Sequence, residues 1–280
     1  NNNKFKKLIY FCKKLEKYLN IDRLDIEFAI KNKKLYIFQV RKLLDTKTNF
    51  KKSNYLPSDF DEYLINIQKK IKKLSSSNPL ISGNKTFFSN MADWNPAEMI
   101  GDKPKPLSVS LYKELITDEV WREQRNSYGY QNVFPNSLLF TFAGSPYIDL
   151  RIDINSFLPK GLNKKESEKI VDTYIKQIKQ NPTIHDKIEF DLLETCYSFN
   201  TDKRLKKYFS LTILKKYKFL LRKITNKIID INLIKKEEEK LNIFEDKIKL
   251  ISKQNISEIQ KIYYYSKITK KYGTLPFAGL

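Results

Sequence analysis

The feature that most constrains this chain is the stretch LDIEFAIKNKKLYIFQVRKL, residues 24–43, in which apolar and polar residues alternate. Alternation with a period of two is typical of half-buried strands, and two such runs around a short polar segment predict an antiparallel hairpin. A register that gathers the apolar residues on one face leaves an odd-numbered loop around residues 32–34. The pairs in this predicted register are Ile26–Val40, Phe28–Phe38 and Ile30–Tyr36.

The other face of the predicted hairpin places Asp25 opposite Arg41 and Glu27 opposite Gln39. One interpretation is the solvated side of an edge hairpin, with a cross-strand ion pair that contributes little. The other is a site for Mg²⁺ and a nucleotide. Mg²⁺ takes hard oxygen ligands and keeps few from the protein, so the carboxylate and the amide oxygen would suffice. Arg41 would then hold phosphate oxygens.

The rest of the chain is mostly helical by its 3.6-residue apolar spacing, which makes the predicted fold class α+β. The Ser-Asn-Pro-Gly cluster SSSNPLISGN, residues 75–84, indicates a linker and domain boundary. Predicted helices cover residues 4–19, 59–74, 107–126, 164–180, 203–228, 233–253 and 255–271, and short strands are predicted near 147–153, 187–191 and 195–199.

The net charge of +21 suggests nucleic acid as a partner, but the distribution of charge argues against it. The 46 Lys are spread over nearly every predicted helix among 32 acidic residues, and only 7 Arg are present to make bidentate contacts. No apolar run is long enough to span a membrane, so no membrane partner is expected. Cys12 and Cys196 lie far apart, which predicts buried thiols in a reducing cytoplasm.

The segment 83–160 concentrates both Trp, both Met, six of the ten Pro and three of the seven Arg. Within it, ADWNPAEMIG predicts a short helix with Asn95 as N-cap, Pro after it and Glu98 in a capping box. Capping leaves the preceding Asp93 and Trp94 unexplained. The segment therefore fits either a helix cap alone or a helix cap that, with Asp93 and Trp94, forms one side of a site for a carboxylate or phosphate ligand.

Arginine and acidic residues in the same segment have the chemistry that an α-amino acid needs. Its carboxylate pairs with Arg, its ammonium group with Asp or Glu, and a side-chain amide needs a donor and an acceptor. The alternation in YIDLRIDI predicts a strand with Asp149 and Arg151 on one face, where an ion pair on a wet strand is the simpler explanation. Trp121 is expected in the core. The candidate ligand residues here are Arg122, Arg125, Tyr128, Tyr130, Asp149 and Arg151.

The hairpin motif DIEFAI…KLYIFQVRKL resembles the end of the ATP-grasp nucleotide-binding domain in the phosphoenolpyruvate synthase and pyruvate phosphate dikinase family. The resemblance implies ATP and Mg²⁺ as cofactors. On the matching positions, it implies that Glu27 and Gln39 ligate Mg²⁺ and that Arg41 contacts phosphates.

Three further stretches, SNMADWNPAEMIGDKPKPLSVSLYKELITDEVWREQRNSYGYQN, SPYIDLRIDINSFLP and KYGTLPFAGL, resemble the central region of a subgroup of this family. The resemblance covers residues 20–45 and 86–280. It implies L-glutamine as the substrate, with the family's ATP-grasp and phosphohistidine domains as partners. The implied division is 1–45, the end of an ATP-grasp domain; 46–82, a helical linker; and 83–280, a substrate-binding domain.

The chain departs from the family pattern at two motifs. It lacks the Gly-rich phosphate loop and the motif around the carrier histidine, and its single His185 has no such context. We therefore expect a middle piece of a longer enzyme that is inactive by itself. Two alternatives stay open, a phosphoenolpyruvate synthase-like enzyme acting on pyruvate and a basic nucleic-acid-binding scaffold.

Overall fold

The computed structural model describes residues 2–22, 24–32, 34–42, 60–76, 78–89, 95–181 and 193–272. The chain forms two compact units, Asn1–Ser58 and Asp59–Leu280. Helices dominate and the strands form two small sheets, which confirms the α+β class. Within the described ranges, every helix is too short or too polar to cross a membrane.

The described residues of the first unit form one helix and one hairpin. Helix α1 spans Asn2–Leu19, and strands β1 (Leu24–Lys31) and β2 (Lys34–Lys42) pair antiparallel. The predicted helix and both predicted strands are therefore present. The side chains of each strand point to opposite faces in turn, except where a bulge interrupts β2.

The register of the hairpin agrees with the prediction at its base and differs at its tip. Ile26 pairs with Val40 as predicted, but Phe28 pairs with Ile37, so the predicted Phe28–Phe38 and Ile30–Tyr36 pairs are wrong. The observed pairs nearer the tip are Ala29–Tyr36, Ile30–Leu35 and Lys31–Lys34. The cause is the turn, because Lys31 opposite Lys34 leaves a two-residue loop that begins at Asn32, whose φ is 50°. Two-residue hairpin loops favour positive φ, and a bulge at Phe38 absorbs the extra residue.

The second unit combines a three-stranded antiparallel sheet with many helices. Its strands are β3 (Phe88–Ser89), β4 (Leu139–Phe142) and β5 (Ser145–Asp149), in the order β3-β5-β4. Its helices are α2 (Phe60–Leu74), α3 (Pro96–Ile100), α4 (Pro106–Tyr112), α5 (Val120–Tyr128), α6 (Leu150–Ser156), α7 (Lys164–Gln180), α8 (Thr201–Leu205), α9 (Leu211–Ile228), α10 (Ile231–Ser252) and α11 (Glu258–Tyr272).

The core of this unit forms where β4, β5, α6, α7 and α9 bury their apolar side chains together. Trp121 is 1% exposed, which confirms its predicted place in the core. Helix α7 has the predicted bounds, and Asn163 and Glu166 form a capping box at its start. Burial of large apolar side chains supplies most of the stability of such a core.

Besides the strand predicted near 147–153, which ends at Asp149, three predicted elements differ from the structure. The helix predicted over 107–126 is divided into α4, a π-helical turn at Lys113–Thr117 and α5. The helix predicted over 203–228 is broken between α8 and α9, where Phe209 turns inward against the rings of Tyr174 and Tyr217. No strand forms at 195–199, and the strand predicted at 187–191 lies outside the described residues, as does His185.

Candidate functional site

The polar face of the hairpin has the predicted register. Glu27 lies directly opposite Gln39, and Asp25 directly opposite Arg41. Residues opposite each other in an antiparallel pair have Cβ atoms about 4.5–5.5 Å apart and share one face. The side chains of Glu27 and Gln39 are both exposed. This spacing allows one carboxylate and one amide oxygen to reach a single cation.

The donor chemistry of this pair, one carboxylate and one amide oxygen, suits Mg²⁺. Mg²⁺ commonly keeps water and phosphate oxygens in its coordination shell and takes only one or two protein oxygens. The assignment of Glu27 and Gln39 to the metal, and of Arg41 to phosphates, stays a prediction.

Arg125, a predicted ligand residue, is engaged inside the second unit. Its Nη1 lies 2.8 Å from Asp153 Oδ1 and also donates to Ser156 Oγ. Its guanidinium carbon lies 4.8 Å from the centre of the Trp121 ring and 3.5 Å from that of Phe157. These contacts join α5 to α6, so the guanidinium has a structural role.

Asp149 ends the strand that was predicted to continue to residue 153. Its carboxylate accepts hydrogen bonds from the backbone N–H groups of Arg151, at 2.9 Å, and Ile152, at 3.2 Å, and from the Thr86 hydroxyl. These bonds make it the N-cap of α6, because the first N–H groups of a helix lack partners within the helix. Burial raises the pKa of this carboxyl group, and its hydrogen bonds oppose the rise.

Arg151 lies in the first turn of α6 and is almost fully buried. Its guanidinium donates to the carbonyl oxygens of Leu74 at 2.9 Å, Ser76 at 3.0 Å and Gly83 at 3.4 Å. Burial lowers its pKa. The predicted strand face that joins Asp149 to Arg151 is therefore wrong, since the chain has become helical and the two side chains serve different partners.

Arg122 is also enclosed by its neighbours. Its Nη1 donates to Asn132 Oδ1 at 3.3 Å and forms an ion pair with Glu123 Oε1 at 3.1 Å. The guanidinium carbon lies 4.8 Å from the centre of the Phe134 ring. Arg122 thus connects α5 to the following loop.

The tyrosines beside the turn at Gly129 have different environments. Tyr130 is buried and its hydroxyl donates to the backbone oxygen of Thr195, and burial raises its pKa. Tyr128 is partly exposed at the end of α5. Gly129 has φ 111°, the left-handed conformation that commonly ends a helix.

The predicted cap at Asn95 is present. Asn95 Oδ1 accepts a hydrogen bond from the Ala97 backbone N–H at 3.1 Å, and Asn95 Nδ2 donates to Glu98 Oε1 at 3.2 Å. The Asn95 side chain accepts from Ala97 at N2 and not from Glu98 at N3, so the cap is confirmed and the predicted capping box is wrong. Asp93 and Trp94 lie outside the described residues, so their predicted contact with a ligand stays a prediction.

The second unit has a cleft of about 450 Å³ that the sequence did not predict, and one of its lining residues, Asn132, accepts the hydrogen bond from Arg122. Gln131, Asn132, Lys160 and Lys164 contribute amides and ammonium groups to its lining, beside the turn at 79–82. The only local signal was PKGLN, residues 159–163, which predicts a turn before a helix and nothing about a ligand. The residues meet only because three separate loops converge.

Comparison of the chain with protein-family models, with curated proteins and with solved structures finds no match. The interpretation of function therefore depends on the hairpin face, on the cleft and on the motif resemblances.

Proposed function

We propose that this chain is the substrate-binding middle part of an ATP-dependent phosphotransferase of the phosphoenolpyruvate synthase-like family. Its motifs resemble those of L-glutamine kinase, an enzyme of phosphoramidate and capsular polysaccharide biosynthesis. The observation that carries the proposal is the pairing of Glu27 with Gln39 beside the pair Asp25–Arg41. This arrangement supports the metal and phosphate roles that the resemblance implies.

In the proposed reaction, ATP, water and L-glutamine give glutamine phosphorylated on its side-chain amide, AMP and phosphate. An amide nitrogen is a poor nucleophile, so transfer through a phosphohistidine in another domain divides one difficult step into two easier ones. Bound Mg²⁺ would neutralise phosphate charge during transfer. Glu27 and Gln39 would hold the ion, and Arg41 would orient phosphate oxygens with its guanidinium. The chain described here would not complete this reaction alone.

The cleft beside Arg122 supports a small polar substrate. Its volume lies within the range of small-molecule sites, and its amide and ammonium groups can pair with an amide and a carboxylate. Arg125, Asp149 and Arg151 are buried among structural partners, whereas Asn132, Lys160 and Lys164 are exposed, so the proposal places the glutamine contacts on the cleft residues instead.

The test is a calorimetric titration of the chain with L-glutamine, pyruvate and a short RNA, each at two salt concentrations. We expect binding of glutamine with little dependence on salt. Binding of pyruvate in preference to glutamine would support a phosphoenolpyruvate synthase-like activity. Strong, salt-sensitive RNA binding would favour the scaffold that the charge of +21 suggests, because displaced counterions make such binding weaken with salt.

A further inference from the structure

The bulge at Phe38 changes which face of the hairpin carries Tyr36. Ala29 lies two residues from Glu27 in β1, so both are on the same face. Tyr36 pairs directly with Ala29 and therefore shares that face with Glu27 and its partner Gln39. In the register without a bulge, Tyr36 would face Ile30 on the apolar side. Bulges near functional sites commonly redirect a side chain in this way.

The position of Tyr36 suits contact with a ligand. The residue is 45% exposed, and Ala29 opposite it carries only a methyl group, so no large cross-strand partner covers the ring. Diagonal neighbours on one face of an antiparallel pair lie about 7–8 Å apart. A ligand held at Glu27 and Gln39 and extending toward the hairpin tip would therefore meet Tyr36.

The charges at the tip agree with an extended anion. Lys31 pairs directly with Lys34 on the same face, and both side chains are exposed. Like charges directly opposite each other destabilise a hairpin, and an anion lying along the face would relieve the repulsion. From base to tip, the face thus presents a carboxylate–amide pair, then Tyr36, and then two ammonium groups.

We propose that Tyr36 is a further ligand-contacting residue of the nucleotide site, with its hydroxyl donating a hydrogen bond to an oxygen of the Mg²⁺-bound nucleoside triphosphate. The inference rests on the proposed function, because it takes Glu27 and Gln39 as the metal ligands. It adds a contact between the metal site and the hairpin tip. The alternation pattern had placed the residue that makes it, Tyr36, on the apolar face.

The experiment measures Mg²⁺·ATP binding to the 280-residue chain by calorimetry. Tyr36→Phe removes only the hydroxyl, so the variant should fold like the original chain while binding roughly tenfold more weakly. Glu27→Gln reports on the metal site. Tyr18→Phe is the matched control, because Tyr18 is 86% exposed on α1, outside the hairpin, and its change should leave binding unaltered.

The outcomes separate the two proposals. If Glu27→Gln weakens binding and Tyr36→Phe does not, the metal site stands and the role of Tyr36 is overturned. If neither change affects binding, or if the original chain binds no Mg²⁺·ATP, the proposed nucleotide site fails and the inference fails with it. Weakening by both variants but not by Tyr18→Phe supports the inference.

Discussion

The guanidinium of Arg125 and the carboxylate of Asp153 lie 2.8 Å apart in an ion pair whose side chains are 8% and 1% exposed. The pair connects α5 to α6 and lies beside the rings of Trp121 and Phe157. Moving two charges out of water is costly, and only close geometry with further hydrogen bonds offsets that cost. The positions that looked most suited to binding an amino acid are thus used to hold the core together.

Arg125→Met should lower the free energy of unfolding by about 3–5 kcal/mol, because it removes the cation that pairs with the buried Asp153 carboxylate. Urea unfolding measures the change. Arg222→Met is the control, since Arg222 is exposed and stacks on Tyr197, and it should cost about 1 kcal/mol or less. An Arg125 variant with normal stability but no glutamine binding would contradict the structural role and show that Arg125 contacts the ligand.

Arg151→Met should release the end of α2. The substitution removes the donor to the carbonyl oxygens of Leu74, Ser76 and Gly83, and no described side chain of α2 is fully buried. We expect a loss of about 2–4 kcal/mol and faster hydrogen exchange across residues 60–74. Lys72→Met, an exposed change in the same helix, should alter neither quantity. Unchanged exchange in α2 would show that other contacts hold it.

Asp149 should make stability depend on pH. Burial raises its folded-state pKa above the ordinary 3.8, so the folded protein retains this proton more strongly than the unfolded chain. The free energy of unfolding should therefore fall as pH rises from about 3.8 through the raised pKa. Ionisation of Asp149 costs no stability below this pH range and its full amount above it. Asp149→Asn keeps a helix-capping acceptor but cannot ionise, so its profile should be flatter.

Urea unfolding at a series of pH values checks this prediction, with exposed Asp102→Asn as the matched change that leaves the slope intact. A profile that keeps its full slope in Asp149→Asn would mean that the bonds from Thr86, Arg151 and Ile152 stabilise the carboxylate enough to cancel the effect of burial.

The hairpin shows how far alternation predicts structure. The pattern predicted both strands and the pair Glu27–Gln39, because one apolar face was enough to choose that register. It failed beyond this pair because two local preferences compete. Asn32 favours a two-residue loop at the tip, whereas the pair Glu27–Gln39 at the base would lead to a loop with an odd number of residues. One extra residue in β2, the bulge, satisfies both.

The candidate substrate site was less accessible to prediction from the sequence. In YIDLRIDI, alternation favoured a strand to residue 153, but the cap bonds of Asp149 start a helix there. Periodicity does not reveal a capping hydrogen bond to a neighbour such as Thr86, which is 63 residues away along the chain. Lys160 and Lys164 gave no signal among 46 Lys, because their convergence with Gln131 depends on tertiary structure.

Glu27→Ala and Arg41→Ala, made in the complete enzyme that we propose, should abolish ATP consumption and leave glutamine binding intact. The first change removes a metal ligand and the second a phosphate contact. Release of AMP and phosphate measures the reaction, and Lys42→Ala, the exposed neighbour of Arg41, is the control. Normal ATP consumption by either variant would contradict the metal and phosphate roles. It would favour the other interpretation, the solvated side of an edge hairpin with a cross-strand ion pair.

The chain itself should bind L-glutamine through the cleft beside Arg122. An ammonium group in the lining is expected to pair with the substrate carboxylate, and the amides of Gln131 and Asn132 to contact its side chain. Lys164→Ala removes one such group, at a cost of roughly 1.5–3 kcal/mol, which is about ten- to a hundredfold in affinity. Calorimetry measures the affinity, and thermal unfolding should show little change because Lys164 is exposed.

Lys165→Ala gives the matched control for this prediction, because Lys165 is the next residue of α7, is also exposed and does not line the cleft. Equal loss of affinity in both variants would indicate attraction by general positive charge instead of a defined contact. L-glutamate provides the second comparison, since it differs from glutamine only at the group that would be phosphorylated. If both bind equally, the cleft does not recognise the amide, and the glutamine assignment loses its chemical basis even with a normal hairpin site.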